Sequence, residues 1–420
     1  MDWQEKLARV IETVREVSAQ TDPQLMVQAY RQRMARIRPT DQVISLSRRD
    51  LAAPKYRITR NSRWADDVNP WTQKHRLPVF ESGLLAELLY ADEPQIIDEL
   101  DVDPADPLYD ELSAHRSLAA IPQYDDGKAI NMVVLLRNEP GAFDREQFPD
   151  LVLATNLFGR ATHSLLLASQ LRDAYSVVDR ELQAIAEIQR GLLPSELPTI
   201  PTMELAAHYQ TARRAGGDYY DFFQLDGGKW GILIADVSGH GSPAAVLMAV
   251  THSLAHAFCH QPTNPSEMLE HLNERLCRQY TTTNGLFVTA WYAVYDPAKR
   301  ELAYASAGHN PPRVKRCEDG SIFSLDKVGG MPLGIMADEE YEAGVQTLRP
   351  GDQIIFYTDG ITEAMNPKGE MFGPARLDDV LSNCTLYASG LIQRLLESVD
   401  HFTEGHPADD DRTVLVAKIS

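Results

Sequence analysis

Trp230-Gly231-Ile232-Leu233-Ile234-Ala235-Asp236-Val237-Ser238-Gly239-His240-Gly241-Ser242-Pro243 is an apolar run that ends in an acid and then a Gly-x-Gly turn. Trp230 to Ala235 is short, apolar and bounded by turn residues, which predicts a buried strand. Gly239 and Gly241 free the backbone for a sharp turn and for close approach of a ligand. Ser242-Pro243 supplies an N-cap and a first-turn proline to a helix predicted from Ala244 to Phe258. Asp236 is thereby placed at a strand end facing a tight turn.

An acid at a strand end is common for local hydrogen-bonding reasons, so the other acids decide what this one means. Gly216-Gly217-Asp218-Tyr219-Tyr220-Asp221 precedes an alternating segment and an Asp226-Gly227-Gly228 turn. Asp218 therefore opens the strand expected to pair with the one ending at Asp236. Downstream, Ile354 to Thr358 runs straight into Asp359-Gly360, and Asp409-Asp410-Asp411-Arg412-Thr413 precedes a last strand from Val414 to Ile419. Four strand termini thus carry carboxylates. If they converge, mutual repulsion raises their pKa values unless cations lie between them. Hard oxygen donors of this kind favour Mg2+ or Mn2+.

In this order, these segments together with Ala307-Gly308-His309-Asn310-Pro311-Pro312, Pro332-Leu333-Gly334 and Thr358-Asp359-Gly360-Ile361-Thr362-Glu363-Ala364 are specific. Over 196–420 the chain resembles the SpoIIE-like branch of the PPM metal-dependent serine/threonine phosphatases. The resemblance implies an α+β fold, a PPM-type α-β-β-α sandwich of two antiparallel sheets flanked by helices. It also implies two Mn2+ or Mg2+ ions bridged by Asp236, one of them joined by the backbone carbonyl of Val237. Asp359 and Asp410 would hold the other ion, and Asp218 would act at or just outside the first ion's shell. Asp409 and Asp411 flank Asp410 and compete with it for that assignment. The family's usual substrate is a phosphorylated anti-sigma-factor antagonist of the STAS type, which implies a bacterial partner-switching pathway. Arg213 and Arg214 precede the Gly-Gly-Asp motif and are either a guanidinium grip on the phosphoryl oxygens or surface arginines.

The whole chain has 420 residues, 44% of them hydrophobic, enough for two or three packed domains. Its formal net charge of -20 argues against a general nucleic-acid or anionic-membrane binder. Cys259, Cys277, Cys317 and Cys384 show no Cys-x-x-Cys spacing, so reduced thiols and a cytoplasmic location are expected. No signal peptide and no apolar run of membrane-spanning length is read in the sequence.

We divide the chain into an N-terminal helix (1–23), a GAF-like α/β sensory domain (24–169), a linker helix (170–195) and the phosphatase domain (196–420). Trp3, Leu7, Val10, Val14 and Val17 form a heptad seam on the first helix. Strands are expected at Gln42 to Ser47, Tyr56 to Thr59, Leu118 to Ile121 and Ile130 to Leu136, the last two joined at Asp125-Asp126-Gly127-Lys128. Helices are expected at Leu84 to Tyr90 and Arg145 to Leu167. That order resembles a GAF domain, which implies a small ligand or a protein regulator. Trp64, Trp71, His75, Tyr90 and His115 are either pocket lining or ordinary packing residues, and packing is the commoner role.

Leu171, Val178, Ile185 and Leu192 recur every seven residues, with Ala174 and Ile188 between them and Glu181 interrupting. A parallel two-helix coil and a homodimer follow if this seam pairs with its copy; the alternative is one amphipathic helix packed on its own domain. The helix should stop near Leu193, ahead of Pro194 and Pro198.

His252, His256 and His260 stand at i, i+4 and i+8 on the helix after Asp236. No His-Glu-x-x-His setting accompanies them, so they are read as a helix face and not as a metal site. Ser238 lacks a His and Asp relay, which disfavours covalent catalysis. Two other functions stay open beside a phosphoprotein phosphatase. One is a catalytically silent binding module that sequesters a signalling partner, and the other is a small-molecule phosphomonoesterase.

Overall fold

The computed structural model describes residues 3–37, 40–66, 68–258, 264–282, 285–382, 384 and 387–420. The chain forms two compact units, Met1–Tyr175 and Ser176–Ser420. The first contains the helices α1 (Trp3–Ala19) and α2 (Pro23–Ile37), the strands β1 (Gln42–Ser47), β2 (Tyr56–Asn61) and β3 (Val79–Phe80), and α3 (Leu84–Ala91). It continues with β4 (Gln95–Ile97), α4 (Tyr109–Leu112), β5 (Ser117–Asp125) and β6 (Lys128–Arg137). These strands make one antiparallel sheet in the order β3-β2-β1-β6-β5-β4. The β5–β6 turn places Asp126 and Gly127 at positive φ, 49° and 75°, the backbone that a tight Asp-Gly hairpin needs. One face of the sheet packs Leu118, Ala120, Met132 and Val134 against Leu85, Leu89 and Leu112.

The helix α5 (Phe148–Arg190) is continuous through 43 residues and contains the division between the units. The expected break near Leu167 is therefore absent, and the helix expected over Arg145 to Leu167 and the linker helix are one element. Leu171 and Val178 are exposed. Leu192 lies beyond the helix end, so the fourth seam position is corrected: Leu192 and Leu193 pack against the second unit's own core. On the first helix, Trp3, Leu7, Val10 and Val14 are exposed.

In the second unit follow β7 (Met203–Gln210), β8 (Tyr219–Gln224), β9 (Trp230–Val237), α6 (Ser242–Phe258) and α7 (Pro265–Leu276). Then come β10 (Val288–Asp296), β11 (Glu301–Ala307), β12 (Arg313–Lys315), β13 (Ile322–Ser324), β14 (Gly344–Thr347) and β15 (Gln353–Tyr357). The chain closes with α8 (Asp359–Thr362), α9 (Gly373–Leu381), α10 (Ala388–Phe402) and β16 (Arg412–Ile419). Two five-stranded antiparallel sheets result, in the orders β14-β11-β10-β9-β8 and β13-β12-β15-β16-β7.

Alternating side chains explain the layering. Ile232, Ile234, Trp291 and Tyr295 of the first sheet face Val314, Ile354, Phe356 and Leu415 of the second. The opposite faces carry Leu233, Tyr292 and Val294 against Met248, Leu269 and Leu272 of α6 and α7. On the other side, Ile355, Val414 and Val416 meet Leu377, Leu391 and Leu395 of α9 and α10. This is the expected α-β-β-α sandwich. The short strands β12 to β14 and the helices α8 and α9 are additions that periodicity did not reveal.

Cys317 and Cys384 are joined in a disulfide across 67 residues, with Cα atoms 5.8 Å apart. This corrects the expectation of reduced thiols, because sequence spacing cannot show that the turn after β12 and the loop after α9 meet. Cys277 is free, and Cys259 and His260 lie outside the described residues. No described helix is long and apolar enough to cross a membrane.

Trp291 is fully buried between the sheets, 5.3 Å from the rings of both Tyr304 and Phe356. Trp291→Ala should destabilise this unit by about 3–5 kcal/mol. Trp291→Phe should cost much less, because the indole N–H has no hydrogen-bond partner to lose. Denaturant unfolding of both variants measures the difference.

Candidate active site

Sheet pairing brings the acids together. Asp218 lies one residue before β8, whose Tyr219 is opposite Ala235 of β9, so Asp218 and Asp236 sit at one end of the first sheet. Asp359 follows β15 and Asp410 and Asp411 precede β16, and these two strands pair at Tyr357 and Val414. The two sheets present their acidic ends to each other at the same edge of the sandwich.

Asp218 is buried and is held from the opposite sheet. Its Oδ2 accepts hydrogen bonds from Thr358 Oγ1 at 2.7 Å and Thr413 Oγ1 at 2.5 Å. Asp411 is also buried, and its two oxygens accept from the backbone N–H of Ala212 at 2.9 Å and of Gly217 at 2.6 Å. Asp411 N–H in turn donates to Asp410 Oδ1 at 2.8 Å, while Asp410 and Asp409 are exposed. The local glycine is required: a Cβ on Gly217 would meet the Val237 carbonyl oxygen at 2.7 Å. Gln189, at the end of α5, clamps Gly216 by donating from Nε2 to its carbonyl at 2.5 Å and accepting its N–H at 3.1 Å.

The electrostatics follow from this crowding. Burial, with the charges of Asp218, Asp359, Asp410 and Asp411, pushes Asp236 up to about 10. Burial and Asp411 raise Asp218 well above the usual carboxylate range, against the hydrogen bonds of Thr413 and Thr358. Asp359 rises to about 6 through burial and the charges of Asp410 and Glu363. Burial likewise raises Asp411, although the Ala212 and Gly217 amides oppose the shift. A cluster of hard oxygen donors that repel one another this strongly fits divalent cations. Asp218, Asp236, Asp359 and Asp410, with the Val237 carbonyl, are the groups available to hold them.

The other candidates fall elsewhere. Arg214 is exposed, and its guanidinium pairs with Asp179 at 3.0 Å and 3.1 Å and with Gln183 at 3.2 Å. It is paired with α5 in this structure, the surface-arginine alternative of the two left open; Arg213 is exposed. His309 is buried, hydrogen-bonded through Nδ1 to Thr289 at 2.9 Å, and burial drives it down to about 4. It is a neutral strut behind Asp236, whose strand partner is Thr289, and not an acid at neutral pH. Ser238 Oγ accepts the Phe287 N–H at 2.9 Å, a loop-closing role.

In the first unit, Trp71 lines a cavity of about 770 Å3 between β1, β2, β6, α2 and α5, beside Arg49, Arg57, Arg60 and Lys74. The other four named aromatics and histidines are not in that lining. His115 is buried and bonded to Gln42 at 2.8 Å, and Trp64 packs on the sheet core.

Sequence reasoning missed Thr358, Thr413 and Gln189 as site residues. The signal was present for the threonines, since each lies within three residues of a site aspartate. Gln189 gave none, because its partner is a glycine backbone 27 residues away.

The two-sheet fold is that of a PP2C-type domain. Residues 226–420 match the family described as Stage II sporulation protein E (SpoIIE). The phosphoserine phosphatase RsbU of Bacillus subtilis is 29% identical over 248 residues, covering 59% of this chain and 72% of that protein. The phosphoserine phosphatase RsbP of the same organism is 25% identical, over 57% of this chain and 58% of that protein. The SiaA-PP2C domain of Pseudomonas aeruginosa superimposes with a TM-score of 0.51 at 21% identity, over 59% of this chain and 99% of that domain, a likeness of fold.

Because Asp236 is raised in the metal-free fold, it contributes stability at low pH that is lost as pH rises toward its folded value. Metal-free protein should therefore weaken between pH 5 and pH 9, and Asp236→Asn should stabilise it by about 0.5–2 kcal/mol at neutral pH. Thermal unfolding in chelator across that range checks both; a variant less stable than wild type would contradict the repulsion.

Proposed function

We propose that this chain is a divalent-metal-dependent serine/threonine phosphoprotein phosphatase whose amino-terminal unit regulates it. The observation that supports this reading best is the meeting of Asp218, Asp236, Asp359 and Asp410 at one edge of the sandwich, with Asp236 pushed up to about 10. Asp236 and the Val237 carbonyl would hold one Mn2+ or Mg2+, and Asp236, Asp359 and Asp410 a second. Such a pair supplies charge neutralisation for the phosphoryl group and an activated shared water. Asp218, fixed by Thr358 and Thr413, would orient solvent at the edge of that site. Arg213, exposed beside Gly216-Gly217, is the guanidinium left to meet the phosphoryl oxygens.

Relatives named as phosphoserine phosphatases support a phosphoserine group as the substrate, and a phosphorylated STAS-type antagonist of a partner-switching pathway is our candidate for its carrier. The first unit, taken as a GAF-like sensory domain over 24–169, would receive a small ligand or a regulator. Its cavity, lined by both charged and apolar side chains, is where such a ligand would sit. The signal would travel along α5, whose last turn touches the site through Gln189 and Gly216. Dimerisation through Leu171, Val178 and Ile185 would set how that helix is held.

Phosphate release from a phosphorylated STAS-type antagonist, with free phosphoserine as comparison and with Mn2+ or chelator, tests the activity. Metal-dependent release from the protein alone supports the proposal; no release from either leaves a binding module, and release from phosphoserine alone a small-molecule phosphomonoesterase. Within it, Asp410→Ala should keep the fold but lose metal affinity and turnover. Asp411→Ala should instead lower stability, by about 1–3 kcal/mol for each buried amide left without its acceptor. Mn2+ titrations paired with thermal unfolding separate the two, and weak metal binding in a stable Asp411→Ala would move the ligand assignment to Asp411.

Placing lysine at both Val178 and Ile185 should split a dimer by desolvating charge in the seam. The same change should remove the influence of the amino-terminal unit on turnover. Light scattering beside phosphatase assays reads both, and a monomeric wild type at micromolar concentration would count against this route.

A further inference from the structure

His252 and His256 stand one turn apart on α6, and the residue that gives them a purpose comes from a different element. Asp221 on β8 is buried, and its Oδ2 lies 2.7 Å from His256 Nε2. One ligand atom from each of Asp221, His252 and His256 lies within 4.8 Å of the others. The two imidazole rings are 4.3 Å apart. We propose that these three side chains form a site for a divalent transition metal ion of the zinc class, separate from the carboxylate centre.

Two nitrogens and one carboxylate oxygen are the donors such ions prefer, whereas Mg2+ and Mn2+ favour oxygen alone. The surroundings are those of a built site. Tyr219 OH donates to Asp221 Oδ2 at 2.6 Å and the Phe222 N–H donates to Oδ1 at 2.7 Å, the outer bonds that orient a coordinating carboxylate. His252 Nδ1 is buried with no hydrogen-bond partner, a cost that a hydrogen-bonded His–Asp pair alone leaves unexplained. Burial and the neighbouring His256 lower the His252 pKa, which keeps it in the neutral form that binds metals. His256 is half-exposed, so solvent reaches the site and water can complete the coordination.

The ion would tie α6 to β8. Both elements lead into the carboxylate centre, since β8 begins one residue after Asp218 and α6 begins six residues after Asp236. Metal binding there stabilises the sandwich by mass action and fixes the helix that follows the Asp236 turn.

The test uses the full chain carrying Asp236→Asn, which disables the carboxylate centre, and Co2+ as the probe. Bound by two imidazoles and a carboxylate in four- or five-fold coordination, Co2+ gives strong visible d–d bands that an all-oxygen octahedral site does not. One equivalent should produce these bands and Zn2+ should bleach them. His256→Gln, at a half-exposed position that leaves the core intact, should abolish them, and Asp221→Asn should do the same. Tyr219→Phe should keep the bands but weaken Co2+ binding about 10–100-fold. Zn2+ should also raise the Tm of the Asp236→Asn chain and not that of the His256→Gln double variant. Absence of the bands in the parent chain, or their survival in His256→Gln, overturns the proposal.

Discussion

The phosphatase unit is organised around an unfavourable contact made tolerable. Two sheets can pack through their apolar faces at many angles, but here their acidic edges must also meet. Asp218 is carried by one sheet, while Thr358 and Thr413, which hold its Oδ2, belong to the other. Those two hydroxyls fasten the sheets at the point where charge would drive them apart. Asp411 repeats the device by accepting the Ala212 and Gly217 amides. The buried interface of Trp291, Phe356 and Ile234 supplies the stabilisation against which the repulsion is held. Without that packing, carboxylates raised as far as Asp236 would separate and hydrate; without the repulsion, the edge would have no preference for cations.

Much of this was legible because strand-terminal acids are punctuated by turn residues. Asp236-Val237 before Gly239, and Asp359 before Gly360, gave both the strand ends and the donor chemistry, and alternation gave most strands to within two residues. What was hidden is what depends on distant partners. Leu192 continued the heptad by spacing, yet the helix ends at Arg190 because the leucine finds the phosphatase core. Arg214 was open between a phosphate ligand and a surface arginine, and its pairing with Asp179, on a helix 35 residues earlier, depends on a distant partner. The Cys317–Cys384 bond and the strands β12 to β14, three or four residues each, are likewise products of tertiary neighbours.

The same limit applies to the histidines of α6: their spacing was visible, but that Asp221, on a strand 31 residues before His252, lies within reach of both imidazoles was not. Asp221 sits in the Gly-Gly-Asp-Tyr-Tyr-Asp segment, whose first acid meets Thr358 of the other sheet and whose last meets His256 of α6. Alternation along β8 makes this possible.

The end of α5 reaches the acidic edge through backbone groups and not through any of its carboxylates. Gln189 satisfies both backbone groups of Gly216, and the Gly217 N–H satisfies Asp411, so helix, loop and the base of β16 form one chain of hydrogen bonds. Each link is buried, and a broken buried link leaves an unsatisfied polar group, which favours all links being made or none. A helix displaced at Gln189 would therefore release the Gly216-Gly217 backbone as a unit. That backbone passes 2.7 Å, measured from where a Cβ would be, from the Val237 carbonyl. Movement there alters the spacing between the carbonyl and the Asp236 carboxylate, and a centre built from repelling oxygens is sensitive to that spacing because its affinity for cations depends on all of them being near together.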